Sequence, residues 1–214
     1  MAGALLAILE AVGLTVLLTV VAGVIGVVLG APVMLLSRSK SAAVRAVYWT
    51  FVHMVRGVPS LVWLFIAFFG ITQIGITLSP MASALITLSV IAIASMAEIY
   101  RGGLSAIAVG QWEASSALGL GRWPLFKDVL YPQLFRAVSP TVATYLVGLL
   151  KESALASTIG VAEVTFVAGQ QTQFYGNGLL FFAFAGLIYL VLSLPLGVLS
   201  RTIHSRLTRR YAVL

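Results

Sequence analysis

The chain has 214 residues, 60% of them hydrophobic and only 9% charged, a balance that excludes an ordinary soluble domain and points to a polytopic membrane protein. Its formal net charge of +7 rests on a few bases beside apolar runs, which argues against nucleic-acid binding and for cytoplasmic flanking charge. The absence of cysteine excludes disulfides, thiolate metal sites and a cysteine nucleophile, and His53 and His204 are too far apart in sequence to suggest a metal site, so no metal or cofactor is expected.

A bilayer core of about 30 Å needs about 20 apolar helical residues. Ala11 to Leu36 supplies them without a charge. Glu10 precedes this run and no basic leader region does, so the run is read as a retained first span. Within it Ala22, Gly26 and Gly30 recur every four residues, a small-residue face suited to packing on a neighbouring helix of the same chain. Arg38, Lys40 and Arg45 follow with no acid among them, which places that loop in the cytoplasm and the N-terminus outside. Span two, about 46–71, is interrupted by Arg56-Gly57-Val58-Pro59, where Gly and Pro imply a kink or a local break. No charge occurs from Gly57 to Ala97, so the loop 72–80 is read as external. Span three, about 81–100, returns inward to Arg101-Gly102-Gly103.

Span four, about 134–152, leads to Lys151-Glu152-Ser153. Residues 154–168 are short for a crossing; with Gly160, Glu163 and Gly169 they are expected to form a folded-back external segment whose polar end carries Gln170, Gln171 and Gln173. Span five, about 179–199, is uncharged, and Arg201, Arg206, Arg209 and Arg210 pin the tail inside. The chain therefore reads as one domain, 1–214, with five spans.

Between spans three and four lies a polar island, Gly110 to Pro132. Gln111 to Leu118 is rich in helix formers, with Glu113 expected in the first turn and Gly119 closing the helix. Ala114, Ser115, Ser116 and Ala117 permit close approach of another surface, while Trp112, Leu118 and Leu120 offer apolar anchors. These residues alone suit either a groove in another protein or the membrane interface.

Glu113-Ala114, then Gly119, then Val129, Leu130 and Pro132 resembles the "EAA" signature of permease subunits of ABC importers. Ser115 stands where that family often has alanine, and Tyr131 where it has leucine. Arg56-Gly57-Val58-Pro59 is similar to the RGTP stretch of polar amino-acid permeases. So are Glu98-Ile99-Tyr100-Arg101-Gly102-Gly103, Gly110 to Ala114, and Lys151-Glu152-Ser153 leading into Ala156 to Val161. The resemblance spans roughly residues 10–200. It implies an all-α membrane protein, the five-helix type I ABC importer permease fold with a cytoplasmic coupling helix at about 110–122. In that family the helix sits in a cleft of the ATPase, which implies contacts from Gln111, Trp112, Glu113, Ala114, Leu118, Leu120 and Arg122, with Gly119 permitting the turn.

No phosphate loop, nucleophile constellation or acid cluster is present, so the chain is expected not to be an enzyme. Charges at membrane depth are candidates for function. Arg56 and Glu98 invite pairing, either as a structural ion pair or as a gate or solute contact. Lys151 and Glu152, about 100° apart on a helix, cannot both point into one path. The resemblance favours Glu152 as the solute contact, suited to a cationic amino acid. A structural pair of Lys151 with Glu152 or Glu163 stays open. Ser95, Ser153 and Trp63 are further candidates, with packing or hydrogen bonding as the competing role.

The resemblance further implies two cytoplasmic ATPase subunits, an extracytoplasmic solute-binding protein and a second permease, copy or paralogue, within membrane lipid; nucleic acid is not a partner. A gradient-driven secondary transporter and a permease for another small solute are the alternatives. Against the first stands the single broken helix, where inverted repeats are usual.

Overall fold

The computed structural model describes residues 1–209, with side chains for residues 1–198. All regular structure among the described residues is helical. α1 (Ala2–Glu10) and α2 (Val12–Leu36) form one nearly continuous rod. The first apolar rod thus begins ahead of the expected Ala11 and carries Glu10 on its exposed surface. α3 (Ala42–Gly57) and α4 (Ser60–Phe65) replace the second span, α4 continuing through a π turn (Ile66–Gly70) and a 3-10 turn (Ile71–Ile74).

α5 (Pro80–Ser105) opens with Ser79 as its cap, the side chain accepting from Ala82 N at 3.2 Å, and with Pro80 at the first helical position. It runs on through Gly102 and Gly103, where the sequence suggests an end; Gly103 lies against Leu134 and Val138 of a neighbouring helix, while Gly102 faces open space. The island forms α6 (Val109–Ala117) and α7 (Arg122–Pro124), which passes through a π turn (Leu125–Leu130) into α8 (Tyr131–Glu152). A 3-10 turn (Ser153–Ile159) and Gly160, at φ 91°, precede α9 (Val164–Tyr175), and α10 (Gly178–Arg209) completes the described chain. Arg210 lies outside the described residues, as do the side chains of Arg201, Arg206 and Arg209.

Among the described residues, three helices are long and apolar enough to cross a membrane: Ala2–Leu36, Pro80–Ser105 and Gly178–Val198. Two bent pairs, Ala42–Gly57 with Ser60–Ile74 and Arg122–Ile159 with Val164–Tyr175, bring the number to five if each is one span. The expected folded-back segment 154–168 is divided between the 3-10 turn that prolongs α8 and the first turns of α9, which departs at 49°.

The centre is the contact of α2 with α5, joined by α8: Leu18, Ala22, Leu88, Ala92 and Leu149 form its buried core. Gly26 and Gly30 make it possible. A Cβ on Gly26 would lie 2.5 Å from Ala92 Cβ, and one on Gly30 2.5 Å from Met96 Cβ, far inside ordinary contact. The small-residue face read from the sequence therefore packs within the chain. A second core joins α1, α9 and α10 through Ile8, Val164, Ala168 and Phe181. The opposite side of α2 exposes Val20, Val24 and Val28, and α10 exposes Leu187, Leu190 and Leu194, surfaces that suit hydrocarbon rather than water.

Candidate translocation and coupling sites

The first candidate site is built on the broken helix. Pro59 disfavours helical backbone at the residue before it, and Val58 is extended at φ −103° and ψ 137°. α3 stops at Gly57 and the chain turns by 99°. The break leaves carbonyls at the end of α3 without helical partners; Trp63 Nε1 reaches back from α4 and donates to Val55 O at 3.1 Å. Trp63 thus spends its polar atom holding the break together.

Glu152, the last residue of α8, lies beside Ser60 at the start of α4. Its Oε2 is buried without a hydrogen-bond partner, as is the hydroxyl of Tyr145. Ser95 of α5 lies beside that hydroxyl, and Glu152 and Arg56 are both within electrostatic reach of it. Polar groups from α3, α4, α5 and α8 therefore converge where the helix is interrupted. Buried polar atoms without partners mark a place for water or a polar ligand.

The other expected groups are disposed differently. Lys151 is exposed and joins neither Glu152 nor Glu163. Glu163 is fully buried elsewhere, accepting from Tyr189 OH at 2.5 Å, from Phe166 N at 2.9 Å and from Thr15 Oγ1 at 3.5 Å. It caps α9 and ties it to α2 and α10. Ser153 is buried and donates to Leu150 O at 2.7 Å, inside its own chain segment.

Arg56 and Glu98 do not form the pair their depths suggest. Glu98 is held by Arg101, Nε donating to Oε2 at 2.9 Å and the other guanidinium nitrogen to Oε1 at 2.6 Å, and by Tyr48 OH at 3.0 Å. Arg101 is three residues away on the same helix, where side chains meet most easily, so it outcompetes a partner on α3. Its guanidinium also lies 5.0 Å from the centroid of Trp49, on which His53 stacks.

The second candidate site is α6. It starts at Val109, so Glu113 falls beyond the first turn rather than within it. The helix ends as expected at Gly119, with φ 65°: Gly119 N donates to Ser116 O and Leu120 N to Ser115 O, both at 3.0 Å. That pairing is a Schellman closure, which requires left-handed backbone at the glycine. Gln111, Glu113, Ala114, Leu120 and Arg122 are exposed and Trp112 half-buried, while Leu118 is 76% and Val109 70% exposed. Ser115, by contrast, is buried and donates to Gln111 O at 2.6 Å. Gln133 Nε2 donates to Gln111 Oε1 at 3.2 Å, linking α6 to α8. Trp123, absent from the sequence-based set, is also largely exposed.

Tyr145 was within reach of the sequence, because it precedes Glu152 by seven residues and so shares its helix face. The grouping of Ser60 with Glu152, and of Tyr48 and Trp49 with the Glu98 pair, has no local signal; it arises from packing between helices.

All-helical architecture, three to five apolar spans and an exposed two-helix insertion define a multi-pass membrane protein. Residues 22–209 match the family model described as binding-protein-dependent transport system inner membrane component. The chain belongs to that family. It is similar to the arginine transport system permease protein ArtQ of Bacillus subtilis, at 35% identity over 94% of this chain and 92% of the relative. It is also similar to the glutamate/aspartate import permease protein GltK of Escherichia coli O157:H7, at 30% identity over 90% and 89%. Among solved structures, an amino acid ABC transporter crystallised with histidines matches with a TM-score of 0.89 and 28% identity, over 94% of each chain. The MetNI methionine ABC transporter in an inward-facing conformation shares the fold, with a TM-score of 0.78 and 22% identity over 94% of this chain and 96% of its own. The chain is thus a membrane-embedded transport subunit of the cell membrane and not itself an enzyme.

Proposed function

We propose that this chain is the permease subunit of an ATP-driven importer for polar amino acids, cationic ones among them, and that Glu152 contacts the solute. The observation that carries this reading is the buried Oε2 of Glu152 at the helix break, without a hydrogen-bond partner among the described residues, with Ser60 beside the carboxylate and the Tyr145 hydroxyl within its electrostatic reach, itself beside Ser95 and within reach of Arg56. A carboxylate there offers a solute ammonium or guanidinium a charge-assisted hydrogen bond to Oε2 that no described residue makes. Arg56 offers the opposite charge for a solute carboxylate. The names of the relatives, with arginine, cystine and glutamate/aspartate among their solutes, support an amino-acid solute. Lys151, Ser153, Glu98 and Trp63 belong to the walls and supports of the path rather than to the contact itself.

α6 is the docking element for a cytoplasmic ATPase subunit, one on each of two permeases. Leu118, Val109 and Trp123 give it an apolar surface outside the spans, and Glu113 and Arg122 flank that surface with charge. A second permease, copy or paralogue, completes the path, and a solute-binding protein delivers from outside. The bases of the loop 37–45 and of the island put those segments in the cytoplasm and the N-terminus outside, with the C-terminal tail inside. ATP-driven closure of the ATPases then shifts the spans between two states through the docked helix.

The test is co-purification and uptake with the complex from its native membrane. With the unaltered chain, an ATPase and a binding protein are recovered together. A chain carrying Glu113→Arg and Gly119→Asp loses the ATPase. Glu152→Gln keeps the assembly but lowers uptake of a cationic amino acid at least about tenfold, the scale of one hydrogen bond to a charged group. Full ATPase recovery with the first variant, or unchanged uptake with the second, overturns the corresponding assignment.

A further inference from the structure

The Glu98–Arg101 pair touches neither the cluster around Glu152 nor α6, yet it stands between them. α5 ends at Ser105 and leads within four residues to α6. Just before that end, its two flanks are gripped differently. On one flank Gly103 is pressed against α8 so closely that a Cβ there would overlap the side chain of Val138 and come within 3.1 Å of Leu134 Cδ1. On the other flank Glu98 and Arg101 hold α3: Tyr48 OH donates to Glu98 Oε2 at 3.0 Å, and the Arg101 guanidinium covers Trp49 at 5.0 Å. Beneath these polar contacts Tyr48, Val52, Met34 and Ala97 form a buried cluster. α3 in turn ends at the break, where Trp63 Nε1 on Val55 O carries α3 into α4 and so to Ser60 beside Glu152.

We infer that Glu98, Arg101, Tyr48 and Trp49 form a clasp that transmits movement of α6 to the broken helix, so that these are positioning residues for coupling rather than solute contacts. The inference rests on the reading of α6 as the ATPase docking element. Packing resists compression and, through lost dispersion, separation, but it is not directional; a hydrogen bond and an ion pair add resistance to sliding and to rotation about the helix axis. Gly103 against Val138 gives α5 the first kind of grip on α8; the clasp gives it the second on α3. Without the clasp only apolar packing joins the two helices, and a rotation or slide of α5 with α6 is passed less fully to α3 and the break.

The experiment uses the full complex, with ATPase and binding protein, in proteoliposomes. Tyr48→Phe removes only the hydroxyl and keeps the ring in its buried place; Arg101→Met removes the guanidinium; Tyr48→Phe and Glu98→Gln, singly and combined, test whether the two act together. Uptake and solute-stimulated ATP hydrolysis are measured side by side. The expected result is that each variant assembles and hydrolyses ATP, while ATP consumed per solute taken up rises at least about fivefold, the lower end of ordinary coupling energies. The double variant rises no further than the larger single one. A merely structural role lowers uptake and hydrolysis in proportion and leaves the ratio unchanged; that outcome, or unchanged uptake in all variants, overturns the clasp. If the unaltered chain recruits no ATPase, the importer reading falls and the clasp falls with it, a result separable from an unchanged ratio in a working complex.

Discussion

The contact between α2 and α5 gives the sharpest test of the fold, because one substitution made twice on one helix should act with opposite signs. Gly13 and Gly26 both lie in α2. A Cβ on Gly13 meets nothing within 4 Å, whereas one on Gly26 would stand 2.5 Å from Ala92 Cβ and 2.9 Å from Ala92 carbonyl carbon. Since the obstruction includes backbone, no rotamer change relieves it and the helices must move apart. Overpacking of this kind costs about 1–3 kcal/mol. Helix propensity works the other way, favouring alanine over glycine by up to about 1 kcal/mol. Gly13→Ala should therefore leave stability unchanged or raise it slightly, and Gly26→Ala should lower it. For a chain of this length overpacking on that scale corresponds to roughly 2–12 °C in Tm, less the part that helix propensity offsets. Thermal unfolding of the detergent-solubilised protein, followed by near-ultraviolet circular dichroism, measures it. Ala92→Gly added to Gly26→Ala removes the 2.5 Å obstruction but not the 2.9 Å one, so recovery should be partial. Equal melting temperatures for Gly13→Ala and Gly26→Ala would refute the close approach.

Two further substitutions probe the polar supports. Trp63→Phe keeps an aromatic ring at the break but removes the donor to Val55 O; a buried carbonyl left unpaired costs about 1–3 kcal/mol, seen as a lower melting temperature and faster limited proteolysis near Gly57. Glu163→Ala should cost more, about 2–4 kcal/mol, because Tyr189 OH, Thr15 Oγ1 and Phe166 N all lose a buried acceptor at once. Glu163→Gln should cost less, since its amide oxygen can still cap α9 and its nitrogen can donate to Tyr189. Equal melting temperatures for the two Glu163 variants would show that the carboxylate does not join α9 to α2 and α10.

What the sequence discloses here follows the range of the physics involved. Apolar length and flanking charge are local, and the runs read from them as spans one, three and four overlap α2, α5 and α8. The Gly119 turn is legible for the same reason: its left-handed backbone is a property of one residue and its nearest neighbours. A helix end departs from the local signal where a tertiary contact overrides it, as at Gly103, whose usual meaning is a stop but which here allows α5 to lie against Val138. The extent of residues 154–168 was hidden because a 3-10 turn followed by a bent helix has no span-length apolar run to announce it.

Pairing of charges was least legible, and Glu98 shows why. Depth in the membrane suggested Arg56, while the charge rule assigned Arg101 to the cytoplasmic flank. Both considerations treat each residue as a point along the membrane normal. The side chain instead obeys helix geometry, in which position i+3 is adjacent whatever its nominal depth, and an arginine near a helix end can reach back along its own helix at small entropic cost. That choice leaves Arg56 without an ion-pair partner among the described residues and free to face the cluster around Glu152. Arg101 thus satisfies Glu98 with directional hydrogen bonds, and Arg56 acts on the same carboxylate only electrostatically, at longer range.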